Sequence, residues 1–356
     1  RRLAAHDADA VELDVCSLGE IVTAERGGFP AQRMYLHGCG KSEAELEAAL
    51  EGRVGALVVD GIDELRALGE RAGSRRLRIG LRINTGIVAH THDFVRTGGE
   101  NTKFGILPQD LPAALTLLDA HRTLELDALH AHIGSQIFDE APYATNLEAL
   151  LDAAAAAHAN GRRVARLILG GGFGVDEDVA ASQRLDLRAI LAGLARRAAE
   201  GARRRRIPVP ALGVEPGRAL VATAGTSLYT VVAIKDSGSR RFVVIDGGIA
   251  DNPRPAIYGA FHQPLVAWSE AEGALCRATV AGRSCENDEL VDADLPAELR
   301  AGDLLALCTT GAYTYSMASN YNRFPRPAVV EVGDASHRPI ARRETLEDVT
   351  RNDILA

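Results

Sequence analysis

The chain has 356 residues, a formal net charge of −8, 46% hydrophobic residues and a mean hydropathy of −0.04. That length holds one large domain and a smaller one, and the acidic balance argues against nucleic acid or a membrane surface as main partner. The cysteines (Cys16, Cys39, Cys276, Cys285 and Cys308) are odd in number and form no CxxC pair, which disfavours a disulfide or zinc framework and points to the reducing cytoplasm.

In chain order, "RRLAAHDAD" reads as the tail of a helix. Short apolar runs then alternate with amphipathic patterns to about residue 220. The strand-like runs are "AVELDV" (10–15), "RMYLHG" (33–38), "GALVVD" (55–60), "LRIGLRIN" (77–84), "LDALHAHIG" (126–134), "ARLILGGG" (165–172) and "ALGVEPG" (211–217). Between them lie helix candidates "KSEAELEAALEG", "IDELRALGERAG", "LPAALTLLDAHR" and "TNLEALLDAAAAAHANG", the last predicted to open at Thr145 and stop near Gly161. Such alternation predicts a parallel sheet with crossover helices. Seven strands are one short of a (β/α)8 TIM-type barrel. The sequence therefore predicts such a barrel over 1–220 with its first strand upstream of Arg1, or else a seven-stranded open sheet. The basic run "ARRRRIP" at Arg203 to Arg206 is read as a last helical turn that complements the helix dipole.

After residue 220 the pattern changes. "TSLYTVVAIKD", "RRFVVIDGG", "RATVAG", "DLLALCTTG" and "PAVVEVGD" are strand-like runs split by Gly, Asp and Pro, and helical periodicity returns only at "RETLEDVTRNDIL". Residues 221–356 are predicted to be an all-β barrel or sandwich domain.

Several stretches carry chemistry. "HAHIGSQ" (130–136) puts His130 and His132 on one face of a strand, which suits a metal pair or a planar ligand, with Ser135 in reach of an anion. No third metal ligand stands at useful spacing, and no metal is predicted. "LGGGFGV" (169–175) follows a strand, and its successive glycines let backbone N–H groups approach an anion, or serve as a turn. "VEPGRALVA" (214–222) ends the last barrel strand with Glu215 and Arg218, an ion pair or a ligand-gripping pair. "DNPRPAIYG" (251–259) aims Arg254 from between two prolines, with Tyr258 four residues on. "GRSCENDEL" (282–290) sets Cys285 beside Glu286 among polar neighbours, which favours an exposed thiol. "TTGAYTYSMASNYNRFPRP" (309–327) gathers three tyrosines in a chain with 4% aromatics and reads as a presenting loop.

In this order and spacing, these motifs resemble the diaminopimelate decarboxylases, pyridoxal-phosphate enzymes of the alanine-racemase-like fold. The resemblance extends through "HGCGKS" (37–42), "AHTHDFVRTGGENTKFGI" (89–106) and "RRETLEDV" (342–349). It implies pyridoxal 5'-phosphate, with His132 on the ring face, Ser135 and the amides of Gly170, Gly171 and Gly172 at the phosphate, and Glu215 at the pyridine nitrogen. The segment Pro216, Gly217 and Arg218 would also line the cofactor. Arg218, Arg254 and Tyr258 would take substrate carboxylate, Glu286 a substrate ammonium, and Tyr313 would touch both cofactor and substrate. Cys285 would be the general acid, donated with Glu286 by the second subunit of a homodimer.

The resemblance also implies a Schiff-base lysine on the first barrel strand, upstream of Arg1. The three lysines, Lys41, Lys103 and Lys235, fall in other motifs. "CSLGE" and "HGCGKS" depart from the family's Ser-Gly-Gly-Glu run and its Asn after His-Gly. The activity implied is decarboxylation of meso-diaminopimelate to lysine. The alternatives are a decarboxylase of another diamino or carrier-bound amino acid, and a non-catalytic homologue.

Overall fold

The computed structural model describes residues 11–87, 102–177, 185–269 and 273–354. The expected helix tail at 1–9 and most of the 89–106 motif lie outside them. The chain divides into two units. One takes the described residues up to Gly174 together with Leu185–Pro216. The other takes Val175, Asp176 and Glu177 and the described residues from Gly217 onward.

The first unit is built on a seven-stranded parallel sheet. Its strands pair in chain order: β1 (Leu13–Val15), β2 (Met34–Leu36), β3 (Ala56–Val59), β4 (Leu77–Arg82), β5 (Leu124–His130), β6 (Arg166–Ile168) and β7 (Ala211–Gly213). Between each pair of consecutive strands runs a crossover helix: α1 (Leu18–Arg26), α2 (Glu43–Leu50), α3 (Ile62–Ala72), α4 (Leu111–Ala120), α5 (Ala141–Ala159) and α6 (Leu187–Arg204). Every residue of β2 and β3 is buried. Strands covered on both faces read as apolar runs, which is why these were legible. Ser42 and Glu45 form a capping box that starts α2, and Ser17 caps α1 by accepting from the Glu20 amide.

The sheet curls on itself. Arg166 on β6 reaches Glu12, just ahead of β1, at 2.7 Å. Tyr35 on β2 donates its hydroxyl to Asp127 on β5 at 3.4 Å. Tyr35, Ala56, Val58, Ala128 and Ile168 pack together inside the curl. The curl brings the carboxyl ends of distant strands together, where ligands bind in such folds.

One helix boundary is corrected. α5 opens at Ala141, four residues before Thr145, whose hydroxyl bonds back to the Ala141 carbonyl. Pro142 fits a first helical turn, and Asp139 accepts from the Ala141 amide, so the start signal lies upstream of the threonine. α6 ends as expected on basic residues: Arg203 and Arg204 fill its last turn, and Arg204 and Arg205 also pair with Glu148 on α5.

The second unit holds a six-stranded sheet. Its strands are β8 (Ser227–Ser237), β9 (Arg240–Ile245), β10 (Pro264–Trp268), β11 (Leu275–Ala281), β12 (Glu289–Pro296) and β13 (Leu304–Leu307), in the order β10-β13-β8-β9-β11-β12. A hairpin of β14 (Val329–Gly333) and β15 (Ser336–Ala341) follows. Val231, Val243, Ile245, Val280, Leu305 and Leu307 are central in its core. The sequence reading did not find β10, β12 or β15. β10 is apolar throughout but only Pro264 is buried, β12 spaces its buried Leu290, Val291 and Leu295 irregularly around Asp292 and Asp294, and β15 is almost wholly exposed, so no regular inward period marks them.

Candidate functional site

In the first unit the site is centred on Glu215, two residues beyond β7. Its Oε2 lies 3.0 Å from His130 Nε2, at the end of β5. Its Oε1 lies 3.4 Å from His37 Nε2, and the same nitrogen is 3.3 Å from Asp14 Oδ1 on β1. His37 directly follows β2. Four strand ends thus converge on one carboxylate. Oε1 is buried and has no hydrogen-bond partner. A buried acceptor in that state is costly unless a ligand donor meets it.

Charge in this cluster is sorted by environment. Burial works against ionisation of Glu215, but the facing imidazoles of His130 and His37 outweigh it and hold the carboxyl well below its usual range. Burial likewise opposes charge on His37, yet Glu215 and Asp14 raise its pKa above the ordinary imidazole value. His130 is lowered by burial and His132 is pushed to about 4 by the same cause, so both rings are neutral at pH 7. The arrangement is an ionised Glu215 that faces two imidazoles, His37 at Oε1 and His130, whose Nε2–H donates to Oε2. His37, His130 and Glu215 bring three ligand-type atoms within 4.8 Å of one another, the third group that sequence spacing had not offered.

The ionised Glu215 contributes stability above the free carboxyl value of 4.5, lost as pH falls through its depressed folded pKa. The protonated His37 contributes below 6.5, and this is lost as pH rises through its raised folded pKa. Glu215→Gln is expected to flatten both flanks of the curve of Tm against pH.

His132 lies just past β5, which ends two residues earlier than the expected His130–His132 strand face. Its Nδ1 accepts from the Gly171 amide at 3.1 Å. That commits one of the three glycine amides expected at a phosphate. The glycines are sterically required. A Cβ on Gly171 would stand 2.0 Å from the Glu215 carbonyl oxygen, and one on Gly172 2.1 Å from that of Gly134. Gly170 and Gly172 have φ of 71° and 88°, the left-handed region. Tyr143 donates to the Gly171 carbonyl at 3.1 Å and stacks on Phe173, which braces the loop from below. Pro216 Cα lies 3.9 Å from that Gly171 Cβ position, and Ser135 directly follows Gly134, whose carbonyl faces Gly172.

Lys41 is nearby in sequence but is no nucleophile. Its Nζ donates to the Gly38 and Val58 carbonyls and to Glu64, at 2.7, 2.7 and 2.8 Å, using all three protons of a charged ammonium.

The second unit holds a pair of guanidiniums. Arg218 opens the short helix α7 (Arg218–Val221) and Arg254 opens α8 (Arg254–Tyr258), between Pro253 and Pro255 as expected. Both side chains are buried, at 8% and 5% exposure, and both face Glu177, at 3.6 and 3.3 Å. Tyr313 lies beneath both guanidiniums, 5.0 and 5.6 Å from its ring centre, and Tyr258 beneath Arg254 at 5.7 Å. Tyr313 is held at φ 63°, an uncommon value for a side chain of that size. Gly217 lies close to its hydroxyl.

Cys285 and Glu286 form a separate exposed group in the same unit. The Cys285 amide reaches Asn322 Oδ1 at 3.4 Å, and Tyr321 donates its hydroxyl to Glu286. Asp288 pins the turn by accepting from the amides of Ser284 and Ile249, at 3.2 and 2.6 Å.

Sequence reasoning named Arg218, Arg254, Tyr258 and Tyr313, and the fold brings them together. It likewise joins His132, Gly170 to Gly172 and Glu215. It missed His37, Asp14 and Glu177. His37 stands at a strand end in "HGCGKS", which was the available signal. Glu177 follows the glycine loop with no motif of its own.

Residues 3–222 match the family described as "Pyridoxal-dependent decarboxylase, pyridoxal binding domain". The diaminopimelate decarboxylase of Bacillus subtilis (strain 168) is 38% identical over 361 residues, covering 98% of this chain and 81% of the relative. That of Actinosynnema pretiosum subsp. auranticum is 40% identical over 350 residues, covering 97% and 78%. Among solved structures, the diaminopimelate decarboxylase of Helicobacter pylori complexed with L-lysine superposes with a TM-score of 0.86 at 32% identity, covering 96% of this chain and 83% of that one.

Proposed function

The chain belongs to the diaminopimelate decarboxylase family of pyridoxal-dependent decarboxylases, and from that premise we propose that it converts meso-2,6-diaminopimelate to L-lysine and CO2 with pyridoxal 5'-phosphate. The observation that carries the proposal is Glu215, a buried ionised carboxylate whose Oε1 faces His37 at 3.4 Å yet has no hydrogen-bond partner. Such an atom suits the protonated ring nitrogen of this cofactor, and the substituent-free glycine loop beside it suits a phosphate. When bound, the cofactor supplies an electron sink for the pair released from the bond to the departing carboxylate.

The residues divide the work. Glu215 holds a proton on the ring nitrogen, and His37 and His130 keep its carboxylate oriented. Neutral His132 presents a ring face without adding charge. Ser135 and the amides of Gly170 and Gly172 take the phosphate, while the Gly171 amide stays on His132 Nδ1, and Pro216, Gly217 and Arg218 line the cofactor. Arg218 and Arg254 grip a substrate carboxylate, with Tyr258 and Tyr313 beneath them. Cys285 delivers its Sγ proton to the α-carbon after CO2 leaves, and Glu286 meets a substrate ammonium. The exposure of Cys285 and Glu286 suits donation to the site of a second subunit, so a homodimer is part of the proposal. So are a cofactor barrel over 1–220, a β domain over 221–356 and a cytoplasmic location, to which five free cysteines are suited.

The test is CO2 release by protein expressed from its whole coding sequence and loaded with pyridoxal phosphate. Diaminopimelate should be turned over, and ornithine, lysine and arginine should not. No release from diaminopimelate by folded, cofactor-loaded protein would sink the proposal. Glu215→Gln should also weaken cofactor binding about 10- to 100-fold, as loss of an orienting partner does, measured by cofactor fluorescence.

A further inference from the structure

We infer that Glu177 is an internal competitor for the two-arginine cradle, holding the position of a ligand carboxylate until one displaces it. The inference rests on the reading of Arg218 and Arg254 as carboxylate-binding residues. Glu177 Oε1 lies between both guanidiniums, 3.3 Å from Arg254 Nη2 and 3.6 Å from Arg218 Nη1. All three side chains are largely buried, with Glu177 at 15% exposure. Two guanidiniums this close repel, and burial and Arg254 together lower the pKa of Arg218. An anion between them is therefore an electrostatic requirement of the folded unit rather than an accident of the surface. A bridging position that touches both forks is single, so a ligand carboxylate and Glu177 cannot both hold it. Arg254 Nε, buried and without an acceptor, marks the pair as less than fully satisfied by Glu177 alone.

The other oxygen reports on the exchange. Glu177 Oε2 accepts from the Phe261 amide at 3.0 Å. When a ligand carboxylate takes the cradle, that hydrogen bond is released. Glu177 thus sets a threshold for entry: it neutralises the cradle while empty and admits only groups anionic enough to replace it.

The probe is pimelate, a seven-carbon dicarboxylate without amino groups, measured by calorimetry on the purified full chain. Glu177→Gln should tighten pimelate binding about tenfold, since the neutral amide competes poorly for two buried cations. Arg254→Gln should weaken it by at least as much. Independently of any variant, pimelate should accelerate hydrogen exchange at the Phe261 amide of the unsubstituted protein. Equal or weaker binding by Glu177→Gln, with Arg254→Gln still impaired, overturns the competitor and leaves the arginine reading standing. Unchanged exchange at Phe261 under saturating pimelate also overturns it. Unchanged affinity in Arg254→Gln overturns the arginine reading, and the competitor with it.

Discussion

Replacing Cys285 by alanine is expected to lower kcat for diaminopimelate by roughly 10²- to 10⁴-fold, the usual worth of a positioned general acid, with KM little changed. The carbanion left by CO2 departure must be protonated at carbon before product can leave. An alanine has no proton to give, and water would have to supply it. Serine should rescue little, because a hydroxyl is a far weaker acid than a thiol. Cys285 is exposed in the single chain, and only its amide is fixed, through Asn322. That geometry makes a second expectation separable from the first. If the thiol serves the partner's site, then Cys285→Ala mixed with Glu215→Gln should regain about a quarter of wild-type activity. Random exchange puts half the subunits in mixed dimers, and each mixed dimer has one intact site out of two. Recovery absent from mixed dimers would assign the thiol to its own chain's site, and full activity in Cys285→Ala would remove it from the chemistry.

Gly171→Ala is expected to destabilise the first unit by about 3 kcal/mol or more, because the added Cβ meets backbone rather than a movable side chain. The clash is with the Glu215 carbonyl oxygen at 2.0 Å. Relief requires moving the strand end that carries Glu215, so cofactor affinity should fall with stability. For a unit of this size the change corresponds to a Tm lower by roughly 6–12 °C. Gly61→Ala is the control. Its φ of −158° is extended and a Cβ there meets nothing within 4 Å, so the cost should stay under about 1 kcal/mol. Equal Tm values for the two variants would refute the close-approach argument.

Much of the fold was legible because its signals are local. Apolar runs of four to six residues separated by amphipathic stretches announce a parallel sheet, and the seven strands follow in that order. The all-β character of the second unit was visible for the same reason, although β10, β12 and β15 were not, since β10 is short and uniformly apolar and the other two show no regular inward period. The site was legible in pieces. The glycine loop, Glu215, and the proline-flanked Arg254 announce themselves because each needs a residue type with special backbone or charge properties.

Local sequence therefore carries the inventory: a parallel α/β unit, a β unit, and the residues able to bind an anion or move a proton. Which of them meet depends on the folded chain. Asp14, His37 and His130 join Glu215 because the curled sheet stacks four strand ends side by side, and no local pattern encodes that contact. Glu177, a few residues past the glycine loop in sequence, meets Arg218 and Arg254 within the second unit, a pairing across 41 and 77 positions of chain. Charge is cheap in water and costly when buried, so a buried carboxylate takes its meaning from the cations folded around it. Those neighbours are a property of the fold, not of the residues beside it in sequence.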